Sequence, residues 1–318
     1  MKSASVSQPL IGQYNRLFAE QLVSWPLYAK GYAALASLQS RMVDCGSYAV
    51  TLQYNPARIV SSGAPVDAES IAARKCFLCE QNRPVLQEVI NYKDEYQLLV
   101  NPMPLFPHHG TIVHHTHLAQ EIEGRLVDML ELARDLSPQF TIFYNGPRCG
   151  ASAPDHFHFQ CTPRGSIPAE NDCVKAGFRG ESHERDGVLL TRMKNYGRSV
   201  LVFESDVAVK LDGQLRRFMH SMRRMAGGTD EAMVNILCTF QNTSWRVIVF
   251  PRKKHRPDAY FADGDERILV SPASVDMGGL IVTPLEKDYL RLDAPTVEGI
   301  YREVSLDNDV VDMIVAAM

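Results

Sequence analysis

Residues 156–160 alternate His-Phe-His-Phe-Gln directly after a loop that carries Gly146, Gly150, Ala151 and Ser152. No other stretch constrains the chain as much. Strict alternation is the period of a strand, in which neighbouring side chains leave opposite faces. It predicts a strand over 156–161, with His156, His158 and Gln160 on one face and Phe157 and Phe159 turned into a core. An H-x-H pair on a strand serves either a metal or a nucleophile. The preceding loop moves the reading toward phosphate chemistry, because small residues let backbone approach an anion and successive N–H groups can form an anion-binding nest. The same glycines would also serve an ordinary turn.

Composition sets the class. A chain of 318 residues, 45% hydrophobic and 22% charged, can bury one large core or two adjoining ones. Its net charge of −4 gives no electrostatic footprint for nucleic acid. No apolar run has the length of a membrane span, and the first residues carry no signal-like segment. Seven cysteines at irregular spacing argue against a secreted disulfide framework. The expectation is a cytoplasmic enzyme that meets neither membrane nor nucleic acid.

Residues 1–10 are polar and carry no element. Apolar positions at Leu17, Phe18, Leu22, Trp25, Leu35, Leu38 and Met42 predict helical segments over 11–45, interrupted at Pro26. Residues 48–60 alternate as a strand, and short strands are expected at 96–100 and 111–113. Ile122, Leu126, Met129, Leu130, Ala133 and Leu136 mark one face of a helix ending near Ser137-Pro138. Residues 140–144 then lead into the glycine loop. Farther on, Leu211, Leu215, Phe218, Met219, Met222 and Met225 predict an amphipathic helix closed by Gly227-Gly228. Residues 234–240 and 245–250 read as a hairpin around Asn242-Thr243. The run 246–250 looks like 156–160 with its histidines replaced, and Gly279-Leu280-Ile281-Val282 echoes Gly110-Thr111-Ile112-Val113.

Cys76-Phe77-Leu78-Cys79 is a C-x2-C pair open to three readings: a redox pair, two inert thiols, or half of a zinc site. Its surroundings supply no thioredoxin-like helix start. Histidines are plentiful nearby, at His108, His109, His114, His115 and His117.

The order Asn145, Gly146, Gly150, Ser152, Pro154, then His156-Phe157-His158-Phe159-Gln160 resembles the active-site signature of the galactose-1-phosphate uridylyltransferase branch of the histidine-triad superfamily. Within that branch it is most similar to phosphorylases of GDP-hexoses or dinucleoside polyphosphates. Gln53-Tyr54-Asn55-Pro56-Ala57-Arg58, Asn101-Pro102-Met103-Pro104 and Pro272-Ala273-Ser274-Val275 extend the likeness over roughly residues 48–310. Asp155 is one residue more than the uridylyltransferases have there.

The resemblance implies an α+β, HIT-like fold of two degenerate tandem halves, antiparallel sheets flanked by helices. The expected division is a helical segment over 1–47, a catalytic half over 48–175 and a degenerate half over 176–318. It makes His158 the nucleophile of a nucleotidyl-histidine intermediate, with Gln160 on a phosphoryl oxygen and His156 and Ser152 beside them. Asn145, Gly146, Gly150, Asn55, Arg58 and Arg252 are the implied substrate contacts. Cys76, Cys79, His117 and His156 would hold a structural zinc, and no organic cofactor is expected. The implied reaction is nucleotidyl transfer or phosphorolysis of a nucleoside diphosphate hexose, with phosphate or a sugar phosphate as acceptor. The alternatives are a dinucleoside polyphosphate phosphorylase, a hydrolase of the same superfamily, and a catalytically silent nucleotide sensor. A homodimer is the candidate assembly.

Overall fold

The computed structural model describes residues 9–228 and 231–318, so most of the polar run at 1–10 lies outside the described residues. Among these residues a small sheet has the order β1 (Gln39–Asp44), β2 (Ala49–Tyr54), β13 (Leu280–Thr283). A second sheet holds β3 (Ile90–Tyr92), β4 (Tyr96–Val100), β5 (Gly110–His114), β6 (Phe140–Asn145) and β7 (His158–Pro163). It continues with β8 (Arg179–Arg185), β9 (Val188–Met193), β10 (Leu201–Ser205), β11 (Val234–Gln241) and β12 (Ser244–Pro251). Its strand order is β3-β4-β5-β7-β6-β11-β12-β10-β9-β8.

That order reads the same from either edge inward. Each half lays down three antiparallel strands, then a helix, then a hairpin whose last strand returns beside the third. The helices in equivalent places are Leu126–Asp135 and Ala208–Met225. β6 and β11 join the halves antiparallel, with Asn145 opposite Asn235. The fold is thus α+β and two-halved, and β12 stands where β7 stands in the first half.

Alternation along the strands sorts residues between two cores. Phe157, Phe159, Cys161, Ile142 and Tyr144 pack on the face covered by the two equivalent helices and the helix Leu10–Ser24. Phe143, Leu237, Ile248 and Phe250 face the other way, against Val50, Leu52, Ile281 and Tyr301 from the small sheet and the carboxy-terminal helices. Phe157 and Phe159 are fully buried with ring centroids 4.9 Å apart, edge to face. Burial of each ring contributes roughly 1.5–3 kcal/mol, which fixes the register of β7 and hence which side chains leave its opposite face.

Pro26 separates the helices Leu10–Ser24 and Pro26–Ala33 as expected, and takes the first position of the second, where its missing N–H is harmless. Three expectations are corrected. Residues 39–44 are the edge strand β1, not helix, and Met42 on it is exposed. β7 begins at His158, so His156 lies in the turn before the strand, its N–H bonded to Ala153 O. The echo between 279–282 and 110–113 is not a repeat: β13 pairs parallel with β2, and the second-half partner of β5 is β10.

Candidate active site

The backbone before His158 is held by a residue that no pattern in the sequence announces. Gln120 is completely buried; its Nε2 donates to Asn145 O (3.0 Å) and His158 O (2.9 Å), and its Oε1 accepts from His158 N (2.8 Å). One amide thereby ties the end of β6 to the start of β7. His158 Nδ1 donates to His156 O at 2.9 Å, since a carbonyl can only accept. The proton therefore sits on Nδ1 and the Nε2 lone pair is bare. Burial pushes this imidazole down to about 4, so it is neutral at pH 7.

Gln160 leaves the same face of β7. Its partner is His109, whose Nδ1 accepts from Leu105 N (3.0 Å) and whose Nε2 lies 3.0 Å from Gln160 Oε1. A backbone N–H can only donate, so His109 carries its proton on Nε2 and gives it to the amide oxygen. The Gln160 NH2 is then the end turned away, available to an anionic oxygen. Burial, reinforced by the charge of Arg58, lowers His109 to about 3 and keeps it neutral. Among five histidines at 108–117 no spacing singled this one out.

The glycine loop is clamped from the second half. Gly150 has φ +89, and a Cβ there would meet Ala273 Cβ at 2.6 Å, so only glycine fits. Gly146 N bonds Val234 O. Asn145 Oδ1 accepts from Asn235 Nδ2 (2.9 Å) and Ser274 N (2.8 Å), which commits its oxygen to the scaffold. Asn55, 2% exposed, follows the end of β2 with its N–H donating to Thr283 O and its carbonyl accepting from Arg58 N, and Arg58 Nη1 donates to Met103 O. Ser152 lies half-buried in the bend ahead of His156. Arg252 differs from its expected role. It is 2% exposed, and its donors go to Val304 O, Asn235 Oδ1, Pro272 O, Lys254 O and His255 O. All five N–H groups are engaged inside the protein, so Arg252 shapes the wall of the site rather than offering a free fork to substrate.

The turn at His156 sends its ring to the cysteine pair. His156 Nδ1 is 3.3 Å from Cys76 Sγ and 3.5 Å from Cys79 Sγ; His117 Nδ1 is 3.2 Å from Cys79 Sγ. The four ligand atoms lie within 4.8 Å of one another, as a group that could hold a metal ion requires. The three sulfur–nitrogen contacts, at 3.2–3.5 Å, are close to the edges of a tetrahedron with arms of about 2.1 and 2.3 Å. His156 Nε2 donates to His114 O at 2.7 Å, which leaves Nδ1 as the lone-pair nitrogen facing the thiols. The donor set fits.

A family model for a domain of unknown function, DUF4922, matches residues 17–163, which include the cysteine pair, the glycine loop and His156 to Gln160. No curated protein matches the chain in sequence. Among solved structures, yeast Ap4A phosphorylase Apa2 in complex with Ap4A is similar with a TM-score of 0.62 at 16% identity, over 92% of this chain and 97% of that one. Another structure of yeast Apa2 gives 0.59 at 16% identity, over 94% and 95%. The likeness spans both halves.

Proposed function

We propose that this chain, which has the two-halved HIT-like fold, is a nucleotidyltransferase that works through His158. The observation that carries the reading is the state of that imidazole: neutral, its Nδ1 proton engaged by His156 O, its Nε2 bare, on the face of β7 that Gln160 shares. In the first displacement the Nε2 lone pair attacks the α-phosphorus, and the bond to the bridging oxygen breaks in line. With a nucleoside diphosphate hexose, hexose 1-phosphate leaves and the nucleoside monophosphate stays on His158. In the second, an oxygen of inorganic phosphate attacks the same phosphorus, the P–N bond breaks and a nucleoside diphosphate is released. Gln160 NH2 donates to a nonbridging oxygen as charge develops there, worth about 3 kcal/mol if it behaves like other oxyanion donors.

The nucleoside diphosphate hexose is the substrate because the run from Pro272 onward, where the likeness to GDP-hexose phosphorylases lies, packs directly on Gly150. A dinucleoside polyphosphate is the second reading, favoured by the likeness to yeast Ap4A phosphorylase across both halves. The Cys76, Cys79, His117 and His156 group would hold zinc as a structural ion; when bound, zinc cross-links the loop 76–79 to the turn that leads into β7. The protein's own contribution there is the His156 carbonyl, which orients the nucleophile.

The test is a panel of UDP-, GDP- and ADP-hexoses and Ap4A, each with phosphate, a hexose 1-phosphate or water alone. Acceptor-dependent release of a nucleoside diphosphate supports the reading, and the best donor names the substrate. Equal release of nucleoside monophosphate with and without acceptor means a hydrolase. No turnover and no adduct on His158 with any donor would leave the silent sensor.

A further inference from the structure

Both histidines of the metal group present Nδ1 to the sulfurs, and each has its other nitrogen turned toward an acceptor. For His156 the acceptor is a backbone carbonyl. For His117 it is a carboxylate: Asp155 Oδ2 stands 4.0 Å from His117 Nε2, at ion-pair distance. The other Asp155 oxygen, Oδ1, is held by Arg74 Nη2 at 2.5 Å, in an ion pair whose side chains are only 16% and 25% exposed. Arg74 in turn lies 5.1 Å from the Phe77 ring centroid, inside the cysteine loop. The order is therefore arginine, carboxylate, histidine, sulfur, and it joins the segments on either side of the site.

Such a carboxylate does two things for a ligating imidazole. It holds the proton on the distal nitrogen, and it raises the basicity of the nitrogen that binds the metal. His117 needs both more than His156 does. Its side chain is 48% exposed and its Nε2 stands 4.0 Å from its acceptor, whereas His156 is buried and its Nε2 donates to His114 O at 2.7 Å. A ligand on an exposed loop is the one whose departure starts metal loss. We infer that Asp155, fixed by Arg74, is a positioning residue that holds His117 on the metal and controls how tightly and how long the ion is retained. The inference rests on the metal reading of the cysteine and histidine group and concerns retention of the ion, not the chemistry at His158.

The experiment uses the full-length, zinc-loaded chain and a chromophoric zinc chelator at neutral pH, with wild type, Asp155→Asn, Asp155→Glu and Arg74→Met. Asp155→Asn should weaken zinc binding by about 10- to 100-fold and shorten the half-time of transfer to the chelator. Asp155→Glu, which keeps the charge, should recover most of that loss. Arg74→Met should lose less than Asp155→Asn, because the carboxylate remains. In zinc-loaded, histidine-labelled protein the Nε2–H signal of His117 should move in Asp155→Asn while that of His156 stays. Zinc affinity within twofold of wild type in Asp155→Asn, or an equal loss in Arg74→Met, overturns the role of Asp155. Wild type that takes up no zinc sinks the metal reading itself, and this inference with it.

Discussion

His158 is the residue on which the proposed chemistry turns, and its environment makes its pH behaviour testable. An exposed imidazole would lose nucleophilicity below about pH 6.5, but this one, at about 4 through burial, stays neutral to a lower pH. The acid limb of kcat/KM should therefore not show an inflection near 6.5 assignable to His158; such an inflection, abolished in no other variant, would contradict the burial argument. His158→Ala should abolish the adduct and lower turnover by about 10^4-fold or more, as read by rapid quench. Gln120 tests positioning instead. Gln120→Met keeps the volume but leaves His158 N, His158 O and Asn145 O without partners, at about 1–3 kcal/mol for a buried orphan. Urea unfolding should show a loss of at least about 2 kcal/mol. The strand period and the loop before it made His158 and Gln160 legible from sequence. Gln120, His109 and Asn235 were not, because their bonds reach 38, 51 and 90 residues along the chain and leave no local trace.

At the scale of elements, the cysteine loop at 76–79 has little apolar packing of its own. Cys76, Leu78, Leu99, Val113 and Ala153 form a separate small cluster apart from the two main cores. A bound ion would supply the cross-link that this cluster does not. Purified protein should carry about one zinc per chain by elemental analysis, and Cys76→Ser should lose it together with thermal stability. A metal-free preparation that melts like the zinc-loaded one would refute the structural role while leaving His158 untouched. Elements were legible where burial and period agree, as in Ala208–Met225, whose apolar stripe at Leu211, Leu215, Phe218, Met219 and Met222 is the buried face. They were misread where sequence carries little burial signal. β1 buries only Val43, and the four-residue spacing of Met42 from Leu38, which precedes the strand, has a helical period by accident. β13, the Leu-Ile-Val-Thr run after Gly279, is a fully buried strand, and such runs look alike wherever they occur.

For the whole molecule, the seam between halves sets the last prediction. Glu231, just ahead of β11 in the second half, accepts at Oε1 from Ile122 N (2.6 Å) and Tyr144 OH (2.8 Å) in the first. Burial raises its carboxyl to about 7, so near neutrality it is only partly ionised. Asp276, against the glycine loop's wall, is raised to about 6 by burial too. A carboxyl whose folded pKa exceeds its unfolded one makes the folded state bind more protons, so stability falls as pH rises from about 4.5 through 7. His109, His158 and His255 act with the opposite sign. They are held near 3 to 4 when folded but take up protons at about 6.5 when unfolded, so they cost stability as pH falls below that value. The two sets therefore oppose each other: the histidines cost stability as pH falls below about 6.5, and Glu231 costs it as pH rises toward about 7. Loss of a bound ion on acidification would act in the same direction as the histidines, so the carboxyl contribution is isolated by difference. Glu231→Gln removes the charge but keeps an acceptor for Ile122 N. Urea unfolding at pH 5, 6, 7 and 8 should show wild type losing ground to Glu231→Gln steadily as pH rises through 7. A difference between the two that does not change with pH would mean that Glu231 is not held protonated at the seam.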